Sequence, residues 1–431
     1  MNKLIVDDTL YLSKGDIFLL RKGNNYNVNY LIKKAKEKEA SSIISSYKDK
    51  DIIYIKNINK YIEKYIKTLK VKPIIIGVTG SNGKTSTTTI IYNILRSLNK
   101  KVMLIGTNGV YFESNHFKTR NTTISNLSIY YLINKYLDNN SYLIMELSSQ
   151  GYNRIKNIKF DYIIYTNLDN EHLDYHKTMK RYLKAKVKIL KLIKNKENLF
   201  INLDDYYGKK LVKTFKNSTF YSLNDLKILN NNPIEFYYKN NKIKSLLTCD
   251  FNIYNIFSSY LLLNKVLKEN FIDKYLLIDN VDGRNNIIQY KNNKIIIDYA
   301  HTPKSVEIIS RFYKQLNPNN LYIILGFGGN KDIKKRSLIL NNALKYTDNI
   351  IITEDNSRNE NFINIIKTSL KKETENLIII QNRKEAIKYG VNQLKDKDIL
   401  LILGKGNENY ILKNNNKIKH NDYEEVRKWI I

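Results

Sequence analysis

The apolar residues from Pro73 onward follow an order typical of one supersecondary unit. Residues 74–76 and Val78 form a short, mostly β-branched run, which predicts a buried strand. A turn containing two glycines follows, and after it apolar side chains recur at helical spacing: Ile90, Ile91, Ile94, Leu95 and Leu98. The pattern therefore predicts a strand, a glycine-containing loop and a helix in that order.

The same patterns divide the 431 residues into three predicted domains. Residues 1–72 mix short apolar runs with one helical stretch, which indicates a small N-terminal α/β domain. Residues 73–277 alternate strands and helices, as expected of a central nucleotide-binding domain with a parallel, doubly wound sheet. Residues 278–431 contain five apolar runs separated by helical patterns, which predicts a C-terminal Rossmann-like domain. The predicted fold class is α/β.

The loop after the first central strand, GVTGSNGKT at residues 77–85, has the features of a phosphate-binding loop. Glycines let backbone N–H groups approach a polyphosphate at the positive end of a helix. Lys84 would reach the terminal phosphates and the Thr85 hydroxyl would bind Mg²⁺. Val78 stands where the strict motif has glycine, so the loop is a variant of it. A glycine-rich turn without a nucleotide is the alternative interpretation, which the flanking strand and helix disfavour.

Composition narrows the class of protein only in part. The formal charge of +31, from 72 basic and 41 acidic residues, suggests a nucleic-acid-binding protein. The lysines are spread over the whole chain, however, and Gly and Pro are scarce throughout, which indicates a general compositional bias. Cys249 is the only cysteine, so neither an intramolecular disulfide nor a cysteine-based zinc cluster can form. With no signal-peptide pattern and no membrane-spanning apolar run, we expect a soluble cytoplasmic protein without membrane insertion.

Two further segments of the central domain place functional side chains after apolar strands. Glu146 ends the run in MELSSQG, where an acid near a phosphate loop suits Mg²⁺; an exposed strand-end carboxylate is the alternative. His172 and His176 follow another strand in a chain with only five histidines. His172 could bind a metal or orient water, or it could be a purely structural histidine.

In the C-terminal domain, four polar loops directly follow apolar runs. They are DYAHTP (298–303), GFGGNKDIKKRS (326–337), TEDNSRNE (353–360) and LGKGNENY (403–410). Loops at the carboxyl ends of parallel strands form the rim at which such sheets bind ligands. No clean G-x-G-x-x-G motif occurs, so a dinucleotide cofactor is not predicted.

Together these segments resemble the Mur ligases over nearly the whole chain. GVTGSNGKTSTT is similar to the family's ATP loop, and MELSSQG and TNLDNEHLDYH to its magnesium segments. NTTISN (121–126) resembles a substrate segment, RYLKAK (181–186) a carbamylated-lysine segment, and FNIYN (251–255) an adenine-contact segment. VDGR, DYAHTP, GFGGNKDIKKR, DNSR and GKGNE resemble its C-terminal series.

The resemblance implies an ATP-dependent amide ligase of peptidoglycan precursor synthesis. Such an enzyme phosphorylates the terminal carboxylate of a UDP-linked muramoyl dipeptide, and an amino acid then displaces phosphate from the acyl phosphate. The implied ATP-binding residues are Gly80, Ser81, Asn82, Gly83, Lys84, Thr85, Ser86, Asn255, Arg284, Asp298 and His301. Two Mg²⁺ ions would bind to Thr85, Glu146, His172 and Lys186, the last as a CO₂-derived carbamate, and the implied catalytic residues are Lys84, Lys186 and His172.

The resemblance also implies binding sites for the other two substrates. An N-terminal UDP-substrate-binding domain would act with Asn121, Thr122, Thr123, Ser148 and Arg154. The positions implied for the amino acid are Arg336, Asp355, Asn356, Arg358, Gly404 and Glu408. An arginine suits a distal carboxylate and a glutamate suits a distal ammonium, so Arg358 and Glu408 favour meso-diaminopimelate over lysine. We expect these small-molecule substrates, a monomer and no nucleic-acid partner.

Several positions depart from the family pattern. Leu10 replaces an arginine that helps to hold the UDP-sugar, and SSQGYNR is shorter than the family segment by about two residues. Ser357 replaces a proline, Asn286 an acid and Asn407 a histidine. Three alternatives therefore stay open: a lysine-adding enzyme, a related ligase with another carboxylate acceptor, and, more distantly, a basic nucleic-acid-binding protein.

Overall fold

The computed structural model describes residues 3–21, 27–278, 280–330, 333–347, 349–370, 377–414 and 416–430. Lys331 and Asp332 of the segment GFGGNKDIKKRS lie outside these ranges. The strands fall into a four-stranded, an eight-stranded, a three-stranded, a six-stranded and a two-stranded sheet within the described chain.

The N-terminal sheet is small and entirely parallel. Its strands, in spatial order, are β1 (Ile5–Val6), β2 (Ile17–Leu19), β3 (Ser42–Ser45) and β4 (Ile53–Tyr54), and its helices are α1 (Val28–Glu37) and α2 (Ile58–Thr68). Ile62 of α2 packs with Leu127, which lies on the first turn of a helix in the next unit, so the two units share apolar contacts.

The central sheet has the order β12-β11-β10-β5-β9-β6-β7-β8. Its strands are β5 (Ile74–Thr79), β6 (Val102–Gly106), β7 (Gly109–Phe112), β8 (Asn115–Phe117), β9 (Tyr142–Leu147), β10 (Tyr162–Tyr165), β11 (Leu199–Asn202) and β12 (Thr219–Tyr221). Its helices are α3 (Lys84–Ser97), α4 (Asn126–Tyr136), α5 (Tyr152–Ile155), α6 (Leu173–His176), α7 (Met179–Leu190), α8 (Tyr206–Leu211) and α9 (Asp250–Val266). All pairs from β12 to β6 are parallel, whereas β7 and β8 extend the edge antiparallel.

Alternation along β5 explains why both faces of this sheet are covered. Ile75 points into a core with residues of α4 and α7, whereas Ile76 and Val78 point into a second core with residues of α3 and α9. A strand buried on both faces is apolar throughout, as the β-branched run predicts.

A three-stranded antiparallel sheet of β13 (Leu226–Asn231), β14 (Ile234–Tyr238) and β15 (Asn241–Ser245) precedes α9. The sequence patterns did not predict these strands. β13 is mostly exposed and carries Lys and Asn, so it lacks the apolar alternation from which strands are recognised.

The C-terminal sheet has the order β16-β17-β21-β18-β19-β20. Its strands are β16 (Asn286–Tyr290), β17 (Asn293–Asp298), β18 (Leu321–Phe327), β19 (Asn349–Glu354), β20 (Leu377–Ile379) and β21 (Ile399–Leu403). The accompanying helices are α10 (Pro303–Gln315), α11 (Ile333–Leu344), α12 (Phe362–Ser369), α13 (Arg383–Gln393) and α14 (Asp422–Arg427). The five predicted strands are parallel, β16 is an antiparallel addition, and β22 (Tyr410–Lys413) pairs with β23 (Asn416–Lys419) as a separate hairpin.

Candidate active site

The phosphate loop lies between β5 and α3 and presents an open helix N-terminus. Gly83 caps α3 with φ +84°, and as a glycine it has no side chain that could accept a hydrogen bond from the first turn. A Cβ at Gly83 would lie 2.6 Å from Oδ1 of Asn255, so only glycine fits beside that side chain. The backbone N–H groups of the first turn are therefore available to an anion such as a phosphate.

Two lysines converge on the carbonyl of Gly80. Lys84 Nζ donates to Gly80 O at 2.9 Å and to Ser81 O at 2.6 Å, and Lys186 Nζ donates to Gly80 O at 2.8 Å. Burial lowers the pKa of Lys84. Burial, with the nearby charge of Lys84, holds the pKa of Lys186 well below its usual range. Both effects shift the equilibrium of the buried Lys186 amine toward its neutral, nucleophilic form.

The carboxylate of Glu146 is held beside the phosphate loop. Its Oε2 accepts from Thr85 Oγ1 at 3.2 Å and from Thr107 Oγ1 at 2.9 Å, and its Oε1 accepts from Thr107 N at 3.0 Å. His172 lies nearby on the cavity wall with φ +57°, an uncommon conformation for a residue with a side chain. No group of three His, Cys, Asp or Glu side chains suited to a metal occurs in the described ranges. A metal here would need the Thr85 hydroxyl and ligand oxygens as well.

Residues of the C-terminal domain contact the central domain beside this loop, and two of these contacts involve Arg284 and His301. Arg284 Nη2 lies 3.4 Å from Thr85 Oγ1, and its guanidinium stacks 4.2 Å from the ring of Tyr299. His301 Nε2 lies 2.9 Å from Oε1 of Glu171. Burial opposes ionisation of Glu171, but the hydrogen bond from His301 and the charges of His301, His172 and Lys84 together outweigh it and hold its pKa well below the usual range.

The remaining predicted nucleotide residues are buried and hydrogen-bonded. Asn255 accepts from Thr87 Oγ1 at 3.1 Å and donates to Asn252 Oδ1 at 2.9 Å. Asp298 accepts from the backbone N–H of Asn285 at 2.7 Å and of Ala300 at 2.6 Å. Burial raises the pKa of Asp298. Asp298 thereby fixes the loop that carries His301.

Four of the predicted amino-acid residues form one charged cluster. Asn356 Nδ2 donates to Glu408 Oε2 at 2.9 Å, while Arg358 Nη1 donates to the carbonyl of Gly329 at 2.8 Å. Asp355 is buried, and although burial opposes its ionisation, the charge of Lys405 lowers its pKa. Asp355, Arg358 and Glu408 thus bring charges of both signs to the cavity wall.

Arg336 is placed differently from Arg358. Its guanidinium makes paired hydrogen bonds to Glu360, at 2.7 Å to Oε1 and 2.6 Å to Oε2, and it is 2 % exposed. It also donates to Thr368 Oγ1 and to the carbonyl of Gly328. Arg336 therefore shapes the wall of the site with its charge already paired.

The predicted UDP-substrate residues are divided between two environments. Thr122 and Ser148 line the cavity, whereas Thr123 is buried beneath it and accepts from the backbone N–H of Ser148 at 3.0 Å. Arg154 is mostly exposed and donates to the carbonyl of Thr123 at 2.8 Å. Asn121 is exposed. The structure does not bring Asn121, Thr123 and Arg154 to the cavity.

All other predicted site residues line one cavity of about 1070 Å³ between the central and C-terminal sheets. Residues that the sequence interpretation missed also lie there or directly behind it. Glu171 and Tyr182 line the cavity, and the Tyr182 hydroxyl is 3.1 Å from Ser81 Oγ. Lys405 is fully buried behind Asp355 and Glu408. Glu171 could have been predicted, because it is adjacent to His172 in the sequence. Lys405 and Tyr182 could not, because lysine and tyrosine are abundant throughout this chain.

A phosphate loop faces the strand ends of a second sheet, with cations and carboxylates between them, and this arrangement suits an enzyme that transfers a phosphoryl group. Family models for the Mur ligase middle domain and the Mur ligase glutamate ligase domain match residues 78–263 and 283–406. The chain belongs to the Mur ligase family. Members of the family use ATP with Mg²⁺.

Individual relatives support this assignment, and a solved structure shares the fold. A Clostridium tetani protein named UDP-N-acetylmuramoyl-L-alanyl-D-glutamate--2,6-diaminopimelate ligase is 34% identical over 98% of this chain and 93% of its own length. An Aquifex aeolicus protein of the same name is 32% identical over 93% of this chain and 87% of its own. The crystal structure of a MurF ligase from Thermotoga maritima with ADP superimposes with a TM-score of 0.73 at 17% identity, covering 99% and 97% of the two chains.

These findings confirm the family, the fold class and the enzyme class that the sequence predicted. The domain boundaries and the roles of single residues stay predictions. No helix in the described ranges combines the length and the apolar character that a membrane crossing requires.

Proposed function

We propose that the enzyme adds meso-diaminopimelate to UDP-N-acetylmuramoyl-L-alanyl-D-glutamate in peptidoglycan precursor synthesis. One observation carries the choice of amino acid: Arg358 and Glu408 line the same cavity as the phosphate loop. Diaminopimelate has a distal carboxylate that could pair with Arg358. Lysine has only a distal ammonium, so Arg358 would face a like charge. The relatives named above support the same reaction.

The reaction needs positioning and charge neutralisation more than covalent chemistry by the protein. The first turn of α3, Lys84 and Arg284 would bind the triphosphate, with Lys84 exchanging its carbonyl partners for phosphate oxygens. A carboxylate oxygen of the muramoyl dipeptide attacks the γ-phosphorus and ADP leaves. The neutral diaminopimelate amine then attacks the acyl carbon, phosphate leaves, the nitrogen loses a proton, and an amide remains.

The residues present suit magnesium ions. Thr85 and Glu146 offer adjacent oxygen ligands, and His172 and Lys186 line the same cavity. Bound Mg²⁺ would neutralise the phosphates and align the two reacting oxygens. Two such ions are proposed.

Lys186 would serve as a carbamate. Its neutral amine adds to CO₂, a proton is released, and an anionic oxygen ligand replaces a cation. Its burial and its uncharged hydrogen-bond partners, Thr79 Oγ1 and Gly80 O, favour the neutral amine that this step needs. Lys186→Ala should lose activity and regain part of it with acetate; full activity without acetate would refute the role.

Two positions in the region expected to bind the UDP-sugar give a second candidate function: a ligase for another carboxylate. Leu10 is 37% exposed where the family pattern has an arginine, and Arg154 binds the Thr123 carbonyl outside the cavity. We propose that Thr122 and Ser148 contact the muramoyl dipeptide. We propose a monomer as the active species.

The test is ATP-dependent phosphate release with UDP-muramoyl dipeptide and a panel of amino acids. We expect release with diaminopimelate and little with lysine. Arg358→Ala should raise KM for diaminopimelate, whereas Arg181→Ala, which removes an exposed arginine on α7, should not. Equal use of both amino acids, before and after Arg358→Ala, would overturn the assignment. Release only with another carboxylate would favour the second candidate.

A further inference from the structure

The side chain of Lys405 is completely buried behind the amino-acid region of the cavity. The residue follows β21 in the segment GKGNE, between Gly404 and Gly406, which have φ of +110° and +52°. These left-handed glycines turn the backbone so that the lysine points inward. Lys405 is 0% exposed, and it does not belong to the residues that line the cavity.

The ammonium of Lys405 contacts three of the residues assigned to the amino acid. Its Nζ lies 3.2 Å from Asp355 Oδ1, 2.8 Å from Glu408 Oε2 and 3.3 Å from Asn356 Oδ1. Asp355 and Glu408 also line the cavity. One buried cation therefore faces two carboxylates that a substrate would meet.

Three ion pairs of the described residues lie around this cluster. Arg336 pairs with Glu360, Lys413 with Glu354, and Arg383 with Asp422. The remaining charges of the cluster are two carboxylates, Asp355 and Glu408, and two cations, Lys405 and Arg358. These four charges sum to zero only because Lys405 is present.

From this arrangement we propose that Lys405 determines specificity for an amino acid whose distal end is zwitterionic. An ammonium together with a carboxylate adds no net charge to the neutral cluster, whereas a lone ammonium adds one uncompensated positive charge. Without Lys405 the cluster would carry one negative charge, which suits a lone ammonium. This inference rests on the proposed function and names the group that makes it selective.

The test compares kcat/KM for diaminopimelate and for lysine in Lys405→Met. The lysine-to-diaminopimelate ratio should rise about tenfold or more, as expected when one buried charge is removed near a charged ligand. Lys405→Arg, which keeps the charge, should retain the wild-type ratio. Lys417→Met is the matched control, because Lys417 is exposed and stacks on the same tyrosine ring, Tyr410, that Lys405 approaches.

Each outcome separates this inference from the proposed function. Wild-type enzyme inactive with both amino acids refutes the proposed function. If the wild type prefers diaminopimelate but the lysine-to-diaminopimelate ratio of kcat/KM is unchanged in Lys405→Met, only the role of Lys405 is overturned. The same holds if Lys405→Arg shifts this ratio as much as Lys405→Met does. If either single variant fails to fold, the double variant Lys405→Met/Asp355→Asn, which restores neutrality, should recover the preference for diaminopimelate. A double variant that prefers lysine would also overturn the inference.

Discussion

The guanidinium of Arg284 reaches the phosphate loop from the C-terminal part of the chain, with Nη2 3.4 Å from the hydroxyl of Thr85. Stacking on Tyr299 holds the guanidinium in this orientation. Arg284, which precedes the first strand of the C-terminal sheet, thus lies against the phosphate loop of the central sheet. The positive charge near a bound phosphate therefore depends on how the two sheets are placed relative to each other.

Replacing Arg284 should therefore impair phosphoryl transfer more than amino-acid binding. Arg284→Lys retains a positive charge but loses the planar fork and the stacking, and we expect kcat to fall about tenfold or more. KM for the amino acid should change little. Phosphate release under saturating ATP measures the effect. Arg427→Lys, at an exposed arginine near Tyr423 on α14, is the control; equal losses in both variants would contradict the assignment.

We expect that Lys186 lowers the stability of the protein although the reaction needs it. Lys186 is 1% exposed, and its ammonium donates hydrogen bonds to two uncharged groups, the Thr79 hydroxyl and the Gly80 carbonyl. Lys186→Met should abolish activity yet raise the melting temperature of the protein without nucleotide by about 2–4 °C for each kcal/mol gained. The carbonyl of Gly80 keeps a donor in Lys84.

The stability difference between Lys186→Met and the wild type should depend on pH. Because the folded pKa of Lys186 is lowered from 10.5, the unfolded chain binds one proton more between the two values, and wild-type stability rises with pH there. The advantage of Lys186→Met should thus be greatest at low pH and vanish as the pH approaches 10.5. Melting curves in CO₂-free buffer with a chelator measure it. Lys184→Met, exposed on the same helix, should show no such trend, and a lower melting temperature for Lys186→Met at every pH would refute the argument.

The phosphate loop shows how much the sequence could predict. Residues 74–79 form a strand and α3 begins at Lys84, as the sequence predicted. Both elements were predictable because a continuous apolar run and helical spacing are patterns of residues close together in the chain. The antiparallel strands β7 and β8 were not predicted, since strands of three or four residues carry little periodicity. The roles of Lys405 and Glu171 depend on partners distant in the chain, such as Asp355 and His301, which no local pattern specifies.

The pairing of Arg336 with Glu360 is another long-range feature, and it yields a third prediction. Glu360→Gln would leave the guanidinium of Arg336, 2% exposed, with weaker partners beside the amino-acid cluster. We expect KM for the amino acid to rise about threefold to tenfold while KM for ATP stays unchanged. Steady-state kinetics with each substrate varied in turn measure this. Glu385→Gln, at an exposed glutamate on α13, is the control, and a larger effect on ATP than on the amino acid would contradict the prediction.

Arg383 and Asp422 form a buried ion pair next to the amino-acid region of the cavity. Arg383 Nε and Nη2 lie 2.8 and 2.7 Å from the Asp422 carboxylate, His420 Nε2 lies 2.7 Å from it, and both charged side chains are 0% exposed. Removing one partner leaves a buried charge uncompensated. Asp422→Asn should lower the free energy of unfolding by about 3–5 kcal/mol.

The only tryptophan, Trp429, packs in the apolar cluster beside this pair, so its fluorescence during urea unfolding measures the effect. Burial opposes ionisation of Asp422, but the charge and hydrogen bonds of Arg383 outweigh it and lower its pKa. The stabilisation is therefore complete above 3.8, the ordinary value, and is lost as the pH falls through the lowered folded pKa. The difference between wild type and Asp422→Asn should accordingly stay constant near neutral pH and shrink in acid. Asp396→Asn, at an exposed aspartate of the same domain, should have little effect; a comparable loss there, or a difference that persists in strong acid, would show that the ion pair is not the cause.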